Sequence, residues 1–538
     1  MSTGQFTGLI AICLSLLYGC QADVAVNEGQ NPASTTPAEP VSTVSSTPAI
    51  AWFDGDVDAA FDAAAELGKP VFLYFGAEWC PYCKELQATI FKRERFVALS
   101  RQFVPIDLGG DSEDNIRYGD RFKVYGLPTV IVFSPQGEEI TRIAGGLDME
   151  QYAGVLELAL NKVRPVRDLV LAVQSGAALS DDDWRLLGAY SWGQDKGQAL
   201  GEQEAQAVLR ELAAKCPARL SGPQSRLLLA ALELWLDDDA RDPALADDYL
   251  NRLNTLLDDE ALLQENLVSL ASSGARMVTT LAGEEQQPLL QQRLLGLYAA
   301  AADDQRLDVL IRAYLLRGWA ETATALPGDR EKLSAAELAW IEARTDAAID
   351  QLNPYQQHAG LNSLWQVYYA LGMEREARAT LMEGIEVSRA PYYFMSSLAY
   401  LERQAGNTQA ALDWYRKAWD ATTGPTTRAR WGLGYVTRLV AMAPEDIDGI
   451  GQSSRQLIAE LATQTGWLRN YQRGFARLSD VLLAWSDEAD EANRARRMEV
   501  IARLQQQMNG YCVQADEGAR DASTCTSFLR EPLAAQSA

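Results

Sequence analysis

The sequence predicts two parts in tandem, an α/β domain over residues 48–164 and an all-α helical array over residues 165–510. Three observations carry this. Short apolar runs rich in β-branched and aromatic residues alternate with helical patterns between 48 and 164. After Arg164-Pro165 the strand signals vanish, and apolar residues recur at helical spacing, as in Ser225 to Leu236, Leu289 to Ala301 and Leu307 to Trp319. Inside that array a pattern of small and large residues repeats at an offset of 34 residues. A chain of 538 residues exceeds one ordinary domain, and 47% hydrophobic residues suffice for packed cores.

The chain begins with a short apolar core, Gly8 to Leu17, too short to span a bilayer. It ends in Leu17-Tyr18-Gly19-Cys20, which resembles a bacterial lipobox. The resemblance implies that residues 1–20 are an export signal and that Cys20 is lipidated as the mature N-terminus. The alternatives are an ordinary cleaved signal peptide and a chance apolar start. In Gram-negative lipoprotein sorting, Gln21 in place of Asp implies the outer membrane rather than the inner. Residues 21–47 are rich in Ala, Ser, Thr, Pro and Val, without helical or strand period, and read as a disordered linker. No later segment is apolar for long enough to cross a membrane.

Within the α/β part, Ala49 to Phe53 reads as a short strand and Asp58 to Leu67 as a helix ended by Gly68-Lys69-Pro70. Val71 to Phe75 is a buried strand, followed by a helix from Cys83 to Leu99 with Leu86, Ile90 and Phe91 on one face. Phe103 to Leu108 is a strand and Ile116 to Phe122 a short helix. Thr129 to Phe133 and Glu139 to Ile143 form a hairpin around Pro135-Gln136-Gly137, and Met149 to Val163 closes the domain as a helix.

Trp79-Cys80-Pro81-Tyr82-Cys83 stands where the first buried strand gives way to a helix. A helix N-terminus carries unpaired N–H groups and a partial positive charge, which stabilise a thiolate in its first turn. A cysteine one turn on can resolve a mixed disulfide, and Pro81 suits a position whose N–H would be unpaired. Cys80 and Cys83 are therefore the candidate catalytic dithiol, with Trp79, Pro81 and Tyr82 shaping its surface. Half of a zinc site and an inert pair are the alternatives. Zinc would need two further ligands, but His358 is the chain's only histidine and no second CxxC exists. No metal and no cofactor is expected.

The order of elements, with Gly126-Leu127-Pro128-Thr129 before the hairpin, resembles the thioredoxin family. Phe75 to Leu86, followed by Thr89-Ile90-Phe91, looks most like the C-terminal periplasmic domain of DsbD. The resemblance covers about a fifth of the chain and implies a cis peptide at Pro128 beside the sulfurs, with the Leu127 backbone pairing to an extended substrate. Two positions depart from the family. A buried Asp is expected six residues before the first cysteine, where this chain has Tyr74. An acid is expected four residues after the second, where it has Gln87. Without those anions the Cys80 thiolate should be easier to form.

In the array, Gly372, Ala377, Leu381 and Gly384 recur as Gly406, Ala411, Tyr415 and Ala418. This resembles two tetratricopeptide repeats near 358–424, which implies a concave surface for peptides or partners. A generic antiparallel array is the alternative. His358 has no serine or cysteine motif beside it and reads as structural or surface. Cys216, before Pro217, reads as a small buried hydrophobe. Residues 511–538 read as a polar C-terminal tail, where Cys512 and Cys525 are expected to form a structural disulfide rather than two free thiols or a second relay.

A net charge of −25 argues against a nucleic-acid partner. The combined reading is an exported thiol–disulfide oxidoreductase, lipid-anchored in the periplasm, with a membrane electron donor and envelope proteins carrying disulfides or dithiols as partners. The competing readings are an envelope scaffold with a redox-sensitive docking domain, and thiol-based metal handling.

Overall fold

The computed structural model describes residues 49–77, 80–88, 90–110, 113–144, 149–160, 164–195, 197–464, 467–488, 490–514 and 523–530. The leader, Cys20, the linker over 21–47 and Trp79 lie outside the described residues.

Helix α1 (Val57–Leu67) starts at Asp56, whose side chain accepts the Ala59 N–H at 2.8 Å, and stops at Gly68, which takes a left-handed φ of 62°. Strand β1 (Val71–Phe75) is buried throughout. Next come α2 (Pro81–Ala88), a 3₁₀ turn at Ile90–Lys92, α3 (Glu94–Ser100) and β2 (Val104–Leu108). Helix α4 (Glu113–Arg121), β3 (Thr129–Phe133), β4 (Glu139–Ala144) and α5 (Met149–Leu160) complete the α/β part.

The four strands form one sheet in the order β2-β1-β3-β4. Strands β1 and β3 are antiparallel, with Phe75 opposite Thr129. That register matters for the site. The chain leaves β1 toward Cys80 at the same end of the sheet where Pro128 leads into β3.

Two sequence expectations for the α/β part need correction. Ala49 to Phe53 is not a strand; the Phe53 N–H donates to the Pro105 oxygen at 2.7 Å, and Trp52 packs within 6.2 Å of the Tyr74 ring and 5.6 Å of the Phe91 ring. Nor is Cys83 to Leu99 one helix. It breaks after Ala88, where β-branched Thr89 and Ile90 favour helix poorly. The break lets Phe91 meet Tyr74 at 5.1 Å and Phe96 at 5.2 Å in one buried aromatic cluster.

From Val166 onward the described chain is helical, joined by turns and short 3₁₀ or π segments. Among the described residues no helix is long and apolar enough to cross a membrane. The 34-residue repeat maps onto helices Gln357–Ala370, Glu374–Val387, Pro391–Gln404 and Thr408–Asp420. Gly372 and Gly406 occupy corresponding turns with φ of 76° and 79°, which a side chain would strain. Ala377, Leu381, Ala411 and Ala418 are fully buried. A Cβ on Gly384 would come within 2.4 Å of the Phe394 ring, so close packing there requires glycine.

The chain groups into two compact units. The first runs to Asp107 and includes Tyr125–Ala377 and Val387–Arg389; the second comprises Leu108–Val124, Arg378–Glu386 and the chain from Ala390. In the first, the helical array packs against β4, the edge strand of the sheet. The Ser191 N–H donates to the Arg142 oxygen at 3.2 Å. The buried Arg142 guanidinium donates to both Glu139 oxygens at 2.8 and 2.9 Å. The Tyr190 hydroxyl lies 3.1 Å from both Glu139 Oε1 and Asp195 Oδ1. Burial and these two carboxylates hold the Tyr190 phenol well above its usual range. The Tyr190–Asp195 bond spans the turn Trp192–Gln194, and Asp195 also accepts the Ala199 N–H at 2.8 Å.

The second unit corrects the polar tail. Helix Glu491–Gln514 runs through the expected boundary at 511, and a last helix, Ser523–Ser527, follows. Phe528 and Leu529 are buried among Phe475, Leu478, Met508 and Cys512. The Leu529 N–H donates to Ser479 Oγ at 2.6 Å, and Cys512 is bonded to Cys525.

Candidate redox site

The first buried strand delivers the chain to Cys80, and α2 begins one residue later with Pro81. The Cys80 N–H donates to the Ala77 oxygen at 3.1 Å and the Lys84 N–H to the Cys80 oxygen at 3.0 Å, so Cys80 occupies the helix entrance. The Cys83 N–H donates to Cys80 Sγ at 3.2 Å. A donor from the first helical turn thus bears on the first sulfur, the arrangement that stabilises a thiolate. The two sulfurs are bonded to each other. Both cysteines are 0% exposed, and Tyr82 is buried beside them.

Across the sheet register, the Leu127-Pro128 peptide is cis and Pro128 is buried, while Leu127 is half-buried. The Thr129 hydroxyl donates to the Gly126 oxygen at 2.7 Å. Cys80, Cys83, Pro81, Tyr82 and Pro128 therefore belong to one end of the sheet. Trp79 lies outside the described residues.

Tyr74 takes the place of the expected acid. Its side chain is fully buried, and its hydroxyl lies 3.5 Å from the Cys83 oxygen. A Cβ on Gly76 would come 2.5 Å from that hydroxyl, so glycine at 76 makes room for tyrosine at 74. Gln87 is half-buried. The sequence marked Tyr74 as a departure but offered no signal for its contact with Cys83.

Sequence reasoning also missed that α2 packs against helix Gln357–Ala370. That helix is buried from His358 to Tyr368. His358 Nδ1 is 2.7 Å from Ser388 Oγ, and burial pushes the imidazole down to about 3. His358 is a core residue. Cys216 is buried and unbonded, and burial pushes its thiol up to about 11, which suits an inert side chain.

A family model described as a thioredoxin-like domain matches residues 57–160. Curated proteins named thiol:disulfide interchange protein DsbD are similar to the same region. One from Pseudoalteromonas atlantica is 34% identical over 18% of this chain and 17% of its own length. One from Ralstonia nicotianae is 34% identical over 20% of this chain and 18% of its own, and one from Yersinia pestis 34% identical over 16% and 15%. The chain thus spans under a fifth of these relatives. A solved structure of a DsbH oxidoreductase aligns at 19% identity and a TM-score of 0.19, over 25% of this chain and 96% of that one. Residues 57–160 are a thioredoxin-like domain with DsbD-type relatives, followed by a large all-helical region.

Proposed function

We propose that this chain is an exported thiol–disulfide oxidoreductase acting through Cys80 and Cys83 on envelope proteins that carry disulfides or dithiols. One observation carries the reading: a bonded cysteine pair at the entrance of α2, with a helix N–H on the first sulfur, at the sheet end that also holds the cis Leu127-Pro128 segment. In the reducing direction the Cys80 thiolate attacks a substrate disulfide. A Cys80–substrate disulfide forms and one substrate thiolate leaves. The Cys83 thiolate then attacks Cys80 Sγ, the Cys80–Cys83 bond forms, and the second substrate thiolate leaves. Two electrons pass from the dithiol to the substrate, and the thiolates take protons from water. The bonded pair is the state that accepts two electrons back from a donor, here proposed to be membrane-bound. Run backwards, the same steps oxidise a dithiol.

The reading takes residues 1–20 as leader, 21–47 as linker, 48–164 as redox domain and 165–510 as a tetratricopeptide-like array that selects partners. Trp79, Pro81, Tyr82 and Pro128 support the dithiol. Cys20 is the lipidation site of a periplasmic, outer-membrane-anchored protein. An insulin-reduction assay tests the activity. Turnover by the intact protein is expected, with loss in Cys80→Ser and Cys83→Ser. No turnover by the intact chain would sink the enzyme reading, and turnover by the double variant would sink the site.

The burial of both sulfurs, with α2 packed on helix Gln357–Ala370, favours a second reading. In it the chain is an envelope scaffold whose thioredoxin-like domain is a redox-sensitive docking module.

A further inference from the structure

We propose that the helical array is an autoinhibitory cover of the oxidised redox site, which must lift before any thiol reaches Cys80 or Cys83. The inference rests on the exchange activity proposed above and names how access to its dithiol is regulated.

Two stretches of the array lie on the two halves of the site. On the cysteine side, helix Gln357–Ala370 packs against α2. Every residue of that helix from His358 to Tyr368 is buried, whereas a helix at the surface of an array leaves one stripe in water. Helices Val309–Ala323 and Ala335–Gln351 cover it from within the array, and α2 is the neighbour it gains from the redox domain. On the proline side, the turn Trp192–Gln194 reaches the segment before the cis peptide. Gln194 Nε2 stands 3.2 Å from where a Cβ on Gly126 would be. The turn is pinned at its base by the Ser191 N–H on the Arg142 oxygen, and the Tyr190–Asp195 bond spans it. With both contacts in place, neither cysteine keeps any surface. Attack needs a thiolate in line with the S–S bond, so this closed form does not react.

The contacts are of a kind that can part. Asn362 and Gln366 are buried on helix Gln357–Ala370, yet their side-chain hydrogen bonds stay within that helix. Gln366 Nε2 donates to the Asn362 backbone oxygen at 2.6 Å, and Trp365 Nε1 to Asn362 Oδ1 at 3.3 Å. Opening breaks neither bond. Gln194 Oε1 is shut off from water and accepts no hydrogen bond. A stranded acceptor weakens the closed form, and lifting the turn returns it to water.

The test is reduction of the oxidised full chain by dithiothreitol, with each disulfide followed separately by alkylation and mass spectrometry. Gln194→Leu keeps the bulk over Gly126 and removes the stranded acceptor, so the closed form gains stability. Reduction of Cys80–Cys83 should slow about tenfold, the scale of one unmade hydrogen bond. Asp195→Ala unties the turn, and reduction should speed by about fivefold or more. The Cys512–Cys525 bond should be reduced at one rate in all three proteins. No slowing in Gln194→Leu, or no gain in Asp195→Ala, overturns the cover. An equal change at both disulfides marks loosening of the whole chain and overturns it too. None of these outcomes depends on turnover; failure of the reduced protein to exchange with bis(2-hydroxyethyl) disulfide would instead overturn the exchange reading.

Discussion

The Tyr74 hydroxyl lies 3.5 Å from the Cys83 oxygen, beneath the first turn of the redox helix, where the thioredoxin resemblance leads one to expect a buried carboxylate. A neutral phenol there exerts no repulsion on a thiolate, whereas a carboxylate would. The Cys80 thiolate should therefore titrate below about 8.5, the free-cysteine reference. Tyr74→Asp should raise that value, followed by thiolate absorbance in the reduced protein. A wild-type value at or above the reference, or no rise in the variant, would count against this account of the site.

Neither sulfur offers surface to solvent in the bonded state. Attack on a disulfide needs approach along the S–S axis, so a small thiol must await an opening of the cover. Reduction of Cys80–Cys83 by dithiothreitol should be at least roughly tenfold slower than reduction of the isolated Cys-Pro-Tyr-Cys peptide. Urea below the unfolding transition should speed it. Reduction at the peptide's rate would show that the sulfurs are open in solution.

The Cys512–Cys525 bond ties helix Glu491–Gln514 to a segment whose Phe528 and Leu529 are buried. It closes a short loop with a separation of 13 residues. The double Cys512→Ser, Cys525→Ser variant should lose about 3 kcal/mol of stability on the chain-entropy scale. Calorimetry of the variant beside the wild type measures this. Equal stability would mean that buried Phe528 and Leu529 hold the segment without the bond.

What the sequence displayed of this molecule was what local chemistry encodes. Cys80, Cys83 and Pro128 were legible because each depends on a few neighbours at a strand end, and Gly372 and Gly406 because a left-handed turn demands glycine. The helix break after Ala88 was not, because it serves the packing of Phe91 against Tyr74 and Phe96, a tertiary preference that overrides the helical period. The packing of α2 on helix Gln357–Ala370 and the approach of Gln194 to Gly126 join parts far apart in the chain, and neither leaves a local pattern. Phe528 and Leu529 were hidden among polar neighbours, too few to raise a periodic signal.

His358 offers a clean pH experiment, because it is the chain's only histidine. Burial holds its imidazole neutral down to about 3, against an ordinary value of about 6.5. Between those values the unfolded chain binds a proton that the folded chain refuses. Stability therefore rises with pH across this window and is lost as the pH falls from about 6.5 toward 3. Carboxylates titrate mostly below about 4.5, and Glu233, whose carboxyl burial pushes up, gains rather than loses stability as the pH falls, so a loss between pH 6.5 and 5.0 belongs to His358, at most roughly 1.5–2 kcal/mol. Urea unfolding at the two pH values should show a loss at pH 5.0 in the wild type and no such loss in His358→Gln, whose amide keeps a partner for Ser388 without titrating. A wild-type protein equally stable at both pH values would mean that the imidazole is protonated in the fold, which its burial forbids.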